Sequence, residues 1–383
     1  MKDRLILSIK QKFISEFNSE PLLVFSPGRI NLIGEHTDYN DGFVFPAAID
    51  KGIVVAIHYS DEHFSSVLAY DVNEQLDFSL EHIQSLKNGG WKNYVLGVVA
   101  EIRKKDKHLG NFKLVFGGNI PIGSGLSSSA ALENSIVYSL NELFQLGLTK
   151  NEMIAISQKA EHNYVGVKCG IMDQYASMFG VKNSALLLDC RHIKSTNFKI
   201  DFKDYDILLI NTNVKHSLAE SAYNERRATC EKIVSLLNIK SLRDASEIDL
   251  LSIKDQIPEE DYQKVLYVIQ ENQRVLEASK AVQNNDIKLL GKLFYDSHHG
   301  LQHQYQVSCD ELDFLVEATK DNDTIIGARM MGSGFGGCTI NLIKKGDILD
   351  FSNFIKEGFK NKFKTDCTIY NVNLSQGTYV IKS

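Results

Sequence analysis

Four short stretches of this 383-residue chain concentrate side chains that can do chemistry. The first is Gly28-Arg29-Ile30-Asn31-Leu32-Ile33-Gly34-Glu35-His36-Thr37-Asp38-Tyr39, which sets a guanidinium, two carboxylates and an imidazole around glycine turns. Carboxylates accept hydrogen bonds from hydroxyl groups, so a cluster this dense can hold a polyol. The same residue types can ligate a metal, but the spacing is neither H-E-x-x-H nor an EF-hand loop. A solvated loop with an Arg29 salt bridge is the plain alternative.

The second stretch is Pro121-Ile122-Gly123-Ser124-Gly125-Leu126-Ser127-Ser128-Ser129-Ala130-Ala131. Glycines let successive backbone N–H groups converge on one ligand, and a helix start adds a positive dipole end. An anion, most simply a phosphate, fits there, and a serine hydroxyl at that position can also ligate Mg²⁺. The third stretch, Met331-Gly332-Ser333-Gly334-Phe335-Gly336-Gly337-Cys338, contains a G-x-G-x-x-G spacing. A strand rather than a helix is expected to follow it, so it reads as a tight turn or a close backbone approach, not a dinucleotide fold. The fourth, Cys169-Gly170-Ile171-Met172-Asp173-Gln174, offers one carboxylate among apolar neighbours, a general base or a helix N-cap. Glu161, read alone, is a surface residue on a helix. His299 and His303 share a helical face and read as solvated. No Walker A loop and no protein-kinase H-R-D or D-F-G is present.

These stretches need elements to hold them. Leu22–Phe25, Ile53–Tyr59, Phe112–Phe116 and Ala185–Leu188 read as strands. Leu132, Ile136, Leu140 and Leu143 recur on one face and predict a helix that opens at the serine run. Thr149 to Glu152 is a capping box that starts another. In the second half, strands are expected at Ile207–Ile210, Thr324–Met330, Cys338–Ile343, Thr368–Asn371 and Tyr379–Ile381. Helices are expected over Ser217–Leu237, in several segments of Asp261–Thr319, and over Ile348–Phe359. Strands and helices mixed in runs indicate α+β, with two domains, 1–195 and 196–383.

The formal charge of −6 argues against a nucleic-acid partner, which needs a basic face. No apolar run approaches the length of a membrane span, and Met1–Leu5 lacks a secretory apolar core. Six scattered cysteines form no C-x-x-C pair, so reduced thiols in a cytosol are expected. Without heptads or an apolar interface helix, a monomer is expected.

Taken together, the motifs resemble the GHMP family of small-molecule kinases, and within it the galactokinases. Gly28–Tyr39 looks like the galactokinase signature, Gly123–Ala131 like the GHMP phosphate loop, and Met331–Cys338 like the third GHMP motif, with Ser333 where many galactokinases have glycine. The resemblance implies a ribosomal-S5-domain-2-like N-terminal domain, a ferredoxin-like C-terminal domain and an active site in the cleft between them. It implies ATP-dependent phosphorylation of the C1 hydroxyl of D-galactose to galactose 1-phosphate, with Mg²⁺. A kinase for an amino-sugar such as N-acetylgalactosamine and a catalytically silent sugar/ATP sensor are the alternatives. By the same resemblance, Asp173 is the base and Arg29 stabilises the transferring group. Ser129 and Glu161 hold Mg²⁺, and Gly123, Ser124, Gly125, Leu126, Ser127, Ser128 and Ser129 bind ATP. Glu35, His36, Thr37, Asp38, Gly170 and Asp173 bind the sugar, with Tyr223 from a Y-x-x-R-R segment.

Overall fold

The computed structural model describes residues 2–105, 107–121, 123–215 and 219–382. Helix α1 (Lys2–Phe17) opens the chain, followed by strands β1 (Leu22–Asn31), β2 (Phe43–Val44), β3 (Pro46–Tyr59), β4 (Ser65–Ala69) and β5 (Glu74–Phe78). Helix α2 (Trp91–Arg103), strand β6 (Phe112–Gly118), helices α3 (Ser128–Phe144), α4 (Lys150–Ala160) and α5 (Met172–Phe179), and strands β7 (Ser184–Asp189) and β8 (Lys194–Lys199) follow. Next come β9 (Tyr205–Lys215), α6 (Ala219–Leu237), α7 (Glu247–Leu251), α8 (Glu259–Gln283), α9 (Ile287–His299) and α10 (Asp310–Lys320). The chain finishes with β10 (Ile325–Met330), β11 (Gly336–Lys344), α11 (Ile348–Phe363), β12 (Thr368–Asn371) and β13 (Tyr379–Val380).

The first half is built on a six-stranded sheet in the order β13-β1-β3-β6-β4-β5, antiparallel except for β4 against β6. Side chains alternate across its faces. Val24, Ile53, Val55 and Ile57 meet α2, α3 and α4 on one side. Leu23, Phe25, Val54 and Ala56 meet Ile9 and Phe13 of α1 on the other. The expected face of α3 is buried in the first of these cores. Thr149 and Glu152 form both halves of the capping box that opens α4.

The second half carries a four-stranded antiparallel sheet, β10-β11-β9-β12. Strand, helices, two strands, helix and strand in that spatial order make the ferredoxin-like arrangement. Leu208, Ile210 and Ile343 face α10 and α11. Ile207, Leu209, Ile340 and Leu342 face α8 and α9, and that core continues into Ile30, Leu32, Phe45 and Leu126 of the first half. The fold is thus two-domain α+β.

Sheet pairing does not divide strictly at residue 195. That residue lies within β8, which pairs with β7, and β13 returns to the edge of the first sheet against β1. Helix α6 begins at Ala219, so the expected start at Ser217 lies outside the described residues. Helices α1, α2 and α7 and strands β2, β4, β5 and β8 were not anticipated. No described helix is long and apolar enough to cross a membrane.

Candidate active site

The end of β1, the loop that opens α3, the start of α5 and the β10–β11 turn converge on one cavity of about 360 Å³. Asp173, in the first turn of α5, sits opposite Arg29 of β1. The guanidinium forks onto the carboxylate, with Nε donating to Oδ1 and Nη2 to Oδ2, both at 2.8 Å. Its third nitrogen, Nη1, donates to the Gly125 carbonyl at 2.5 Å, which ties the pair to the second glycine loop. Burial works against the charge of Arg29, but the surrounding carboxylates, Asp173 first and then Glu35 and Asp38, together raise the arginine pKa. Asp173 is not an N-cap, since Ile171 occupies that position.

Ser127 is the N-cap residue of α3, in the left-handed region at φ 59°, yet its side chain does not cap the helix. Its hydroxyl donates to Asp173 Oδ2 instead. That leaves first-turn N–H groups of α3 without a side-chain acceptor and open to an anion at the cavity. The second and third glycine loops meet backbone to backbone. A Cβ on Gly332, at φ +90°, would lie 3.5 Å from the Gly125 carbonyl. The third stretch is therefore both a hairpin turn and a close approach between loops.

Glu161 begins a wide helical turn, Glu161–Val165, at the end of α4, closed by Gly166 N–H donating to the Glu161 carbonyl at 2.9 Å. It is buried, not on the surface as its sequence context suggested. The Ser129 hydroxyl hydrogen-bonds to its side chain. Burial and the charge of Asp173 push its pKa up to about 7. The Gln174 amide nitrogen lies 3.0 Å from Glu161 Oε2 and 3.1 Å from Glu133 Oε2. Glu133 is fully buried, burial raises its pKa well above the usual range, and its Oε1 has no hydrogen-bond partner. The Glu161 carboxylate with the Ser129 hydroxyl against it, and the unpartnered Glu133 Oε1 behind them, are hard oxygen donors of the kind Mg²⁺ takes.

The sugar-type segment wraps the opposite wall. Glu35 Oε1 accepts from Arg329 Nη2 at 2.9 Å and from the Gly332 N–H at 2.7 Å. Asp38 Oδ1 accepts from the Tyr39 N–H, and burial beside Asp173 pushes the Asp38 pKa up to about 6. Gly170 allows that carboxylate in, because a Cβ there would lie 1.8 Å from Asp38 Oδ2. His36 is buried with its pKa driven down to about 3, mainly by burial, and its ring packs 5.4 Å from that of Tyr223. Every sequence-predicted site residue lines the cavity except Thr37. Thr37 turns its hydroxyl into the loop, donating to the Gly34 and Phe43 carbonyls at 3.0 and 2.7 Å. Its hydroxyl thus holds the segment's shape.

Comparison with known proteins agrees with this geometry. The galactokinase galactose-binding signature matches residues 11–59, the GHMP kinase N-terminal domain 93–181 and the GHMP kinase C-terminal domain 278–361. A galactokinase of Thermosipho africanus is 41% identical over 94% of this chain and 99% of its own. One from Clostridium acetobutylicum is 40% identical over 92% of this chain and 93% of its own. The chain belongs to the galactokinase family. The crystal structure of Lactococcus lactis galactokinase with galactose superposes at a TM-score of 0.93, with 33% identity, 98% of this chain and 99% of that one covered. Methanococcus jannaschii mevalonate kinase shares the GHMP fold at a TM-score of 0.65 and 20% identity, covering 94% of this chain.

Several residues around the galactokinase-family site escaped sequence reasoning. Arg329, fully buried on β10, donates to the Leu32, Asn31 and Met330 carbonyls as well as to Glu35. Glu133 and Gln174 stand behind Glu161. Nothing about a lone Arg on a strand, or a Glu within an amphipathic helix, signals these roles in the sequence.

Proposed function

We infer that this protein transfers the γ-phosphoryl group of ATP to the C1 hydroxyl of galactose. The observation that carries this reading is the Arg29–Asp173 fork, set between the sugar-type segment and the uncapped N-terminus of α3. A carboxylate has about four lone-pair sites. Among the described residues, Oδ2 of Asp173 accepts from Arg29 and Ser127, while Oδ1 accepts only from Arg29. Oδ1 is therefore the atom that accepts the C1 hydroxyl and takes its proton. Arg29 keeps that oxygen aimed and adds positive charge where the transferring group passes. Phosphoryl transfer depends mostly on positioning and charge neutralisation, so these groups do most of what the protein must do.

Gly123–Ser129 and the first turn of α3 hold the phosphates through backbone N–H groups and hydroxyls. Ser129 and Glu161 would hold Mg²⁺, with Glu133 and Gln174 behind them. When bound, the ion neutralises phosphate oxygens that the backbone alone leaves charged. Glu35, His36, Asp38, Gly170 and Tyr223 shape the sugar pocket. We assign residues 1–195 to the half that carries the phosphate loop and Asp173, and 196–383 to the half that completes the cavity with Tyr223, Gly332 and Ser333. All six cysteines are free, as suits a cytosolic enzyme.

The test is a coupled ADP-release assay with Mg-ATP and a panel of D-galactose, D-glucose, N-acetylgalactosamine and mevalonate. Turnover on galactose is expected. Asp173→Asn is expected to lower kcat by about 10²–10⁴-fold, the range for a removed general base, while calorimetry still detects galactose binding. Turnover on another acceptor alone would refute the substrate, and an Asp173→Asn enzyme with wild-type kcat would refute the base.

A further inference from the structure

A buried line of hydrogen bonds leaves the sugar-type segment and enters the second half of the chain. His36 Nδ1 lies 2.9 Å from the Tyr39 hydroxyl, which lies 2.7 Å from the Tyr305 hydroxyl. Cys230 Sγ follows, 3.7 Å from Tyr305, and also hydrogen-bonds the Asn40 side chain. On the other side of the imidazole, Nε2 lies 3.3 Å from the Ser333 carbonyl. Of these residues, His36 and Ser333 line the cavity, whereas Tyr39 and Tyr305 do not.

With Tyr39 in place the Ser333 carbonyl shows the direction of the line, and the shorter Tyr39 contact, 2.9 against 3.3 Å, is the stronger hold on the imidazole. A carbonyl oxygen can only accept, so His36 Nε2 must carry the ring proton. Burial drives the His36 pKa down to about 3, so near neutral pH the ring holds one proton and Nδ1 has none. Nδ1 must then accept from the Tyr39 hydroxyl. Tyr39 has one proton to give, so it accepts from Tyr305, and Tyr305 accepts from the Cys230 thiol. Burial raises the pKa of both tyrosines well above the usual phenol range and that of Cys230 to about 11, so each donor keeps its proton. The far end is anchored as well. Arg226 Nε donates to the Tyr305 carbonyl at 3.0 Å, and the Tyr305 ring packs 4.8 Å from that of His36.

We propose that Tyr39 is a positioning residue that locks His36 in the Nε2–H form, so that the imidazole presents only a donor to the acceptor sugar, shared with the Ser333 carbonyl. Tyr305 supports it by occupying the acceptor side of the Tyr39 hydroxyl. The pocket would then select, at this point, a sugar oxygen able to accept a hydrogen bond. This proposal rests on the reading of Glu35–Asp38 as the sugar segment.

The test combines kinetics with ¹⁵N-histidine NMR of the full-length enzyme, the His36 signals being assigned from a His36→Gln spectrum. The wild type is expected to show one tautomer, with Nδ1 unprotonated. Tyr39→Phe keeps the ring and removes only the donor to Nδ1. It is expected to mix the tautomers and to raise the galactose KM roughly five- to tenfold, as loss of one buried hydrogen bond would, with the ATP KM and kcat within about twofold. Tyr305→Phe is expected to act in the same direction but more weakly. A protonated Nδ1 in the wild type would overturn the proposal. So would a Tyr39→Phe enzyme with unchanged tautomer and galactose KM, or one in which both KM values rise together with a fall in Tm, which marks a merely structural role. If galactose leaves the wild-type His36 signals unmoved and His36→Gln keeps the galactose KM, the sugar-segment reading itself fails. The tautomer in that same spectrum reports separately on the direction of the line.

Discussion

At the scale of single residues, the site is dense with groups that tolerate no change in size. Gly170 is the sharpest case, since any side chain there collides with the Asp38 carboxylate. Gly170→Ala is expected to displace Asp38 and to raise the galactose KM by tenfold or more, with kcat less affected; steady-state kinetics and a Tm measurement will separate this from unfolding. Motifs legible in the sequence identified most of the residues that line the cavity. Thr37 shows where that reading stops. A hydroxyl inside a functional motif can serve the loop's own backbone carbonyls, and its neighbours in sequence do not reveal which way it points.

Among the elements, helix ends do most of the positioning. The α3 start is uncapped because Ser127 bonds Asp173, and Glu161, where α4 passes into the wide turn, meets Ser129. Wide five-residue helical turns recur at functional sites because they redirect one side chain without ending the helix. Burial beside Asp173 gives Glu161 a pKa of about 7, well above a free glutamate. A cation that binds its ionised form must displace a proton below that pH. Mg²⁺ affinity is therefore expected to fall as pH drops from about 8 to 6, by up to tenfold per unit below 7, as measured by Mn²⁺ competition with electron paramagnetic resonance detection. The linkage for folding has the opposite sign. A carboxyl whose pKa is raised on folding contributes stability at low pH that is lost as pH rises through about 7. Mg²⁺ is expected to restore that loss, which calorimetric Tm values with and without the ion will show.

Across the whole molecule, the two halves are held together at the site itself. The Arg329 guanidinium bonds three backbone carbonyls and Glu35, both side chains fully buried, and Glu35 in turn holds the Gly332 N–H. Removing one partner of a buried ion pair leaves a bare charge, so Arg329→Met is expected to cost about 3–5 kcal/mol of stability in denaturant titrations. The strands and helices that were anticipated follow from local periodicity, and the motifs announced phosphate and polyol chemistry because glycine, serine and carboxylate at those spacings have few other uses. Helix α1 does carry a helical face, Leu5, Ile9, Phe13 and Phe17 at every fourth residue, but it is interleaved with charged residues and went unread. Strand β2 is only two residues long, and β5 and β8 carry mostly polar, exposed residues, so no apolar run marks them. By itself the sequence determined which residue types stand ready for phosphoryl transfer and in which loops. Only the tertiary structure decided that Arg329, Tyr305, Glu133 and Gln174 stand behind them. These residues act through contacts that join distant parts of the chain, as between Arg329 and Glu35 or Tyr305 and Tyr39, and a buried hydrogen bond between distant residues leaves no spacing in the sequence to read.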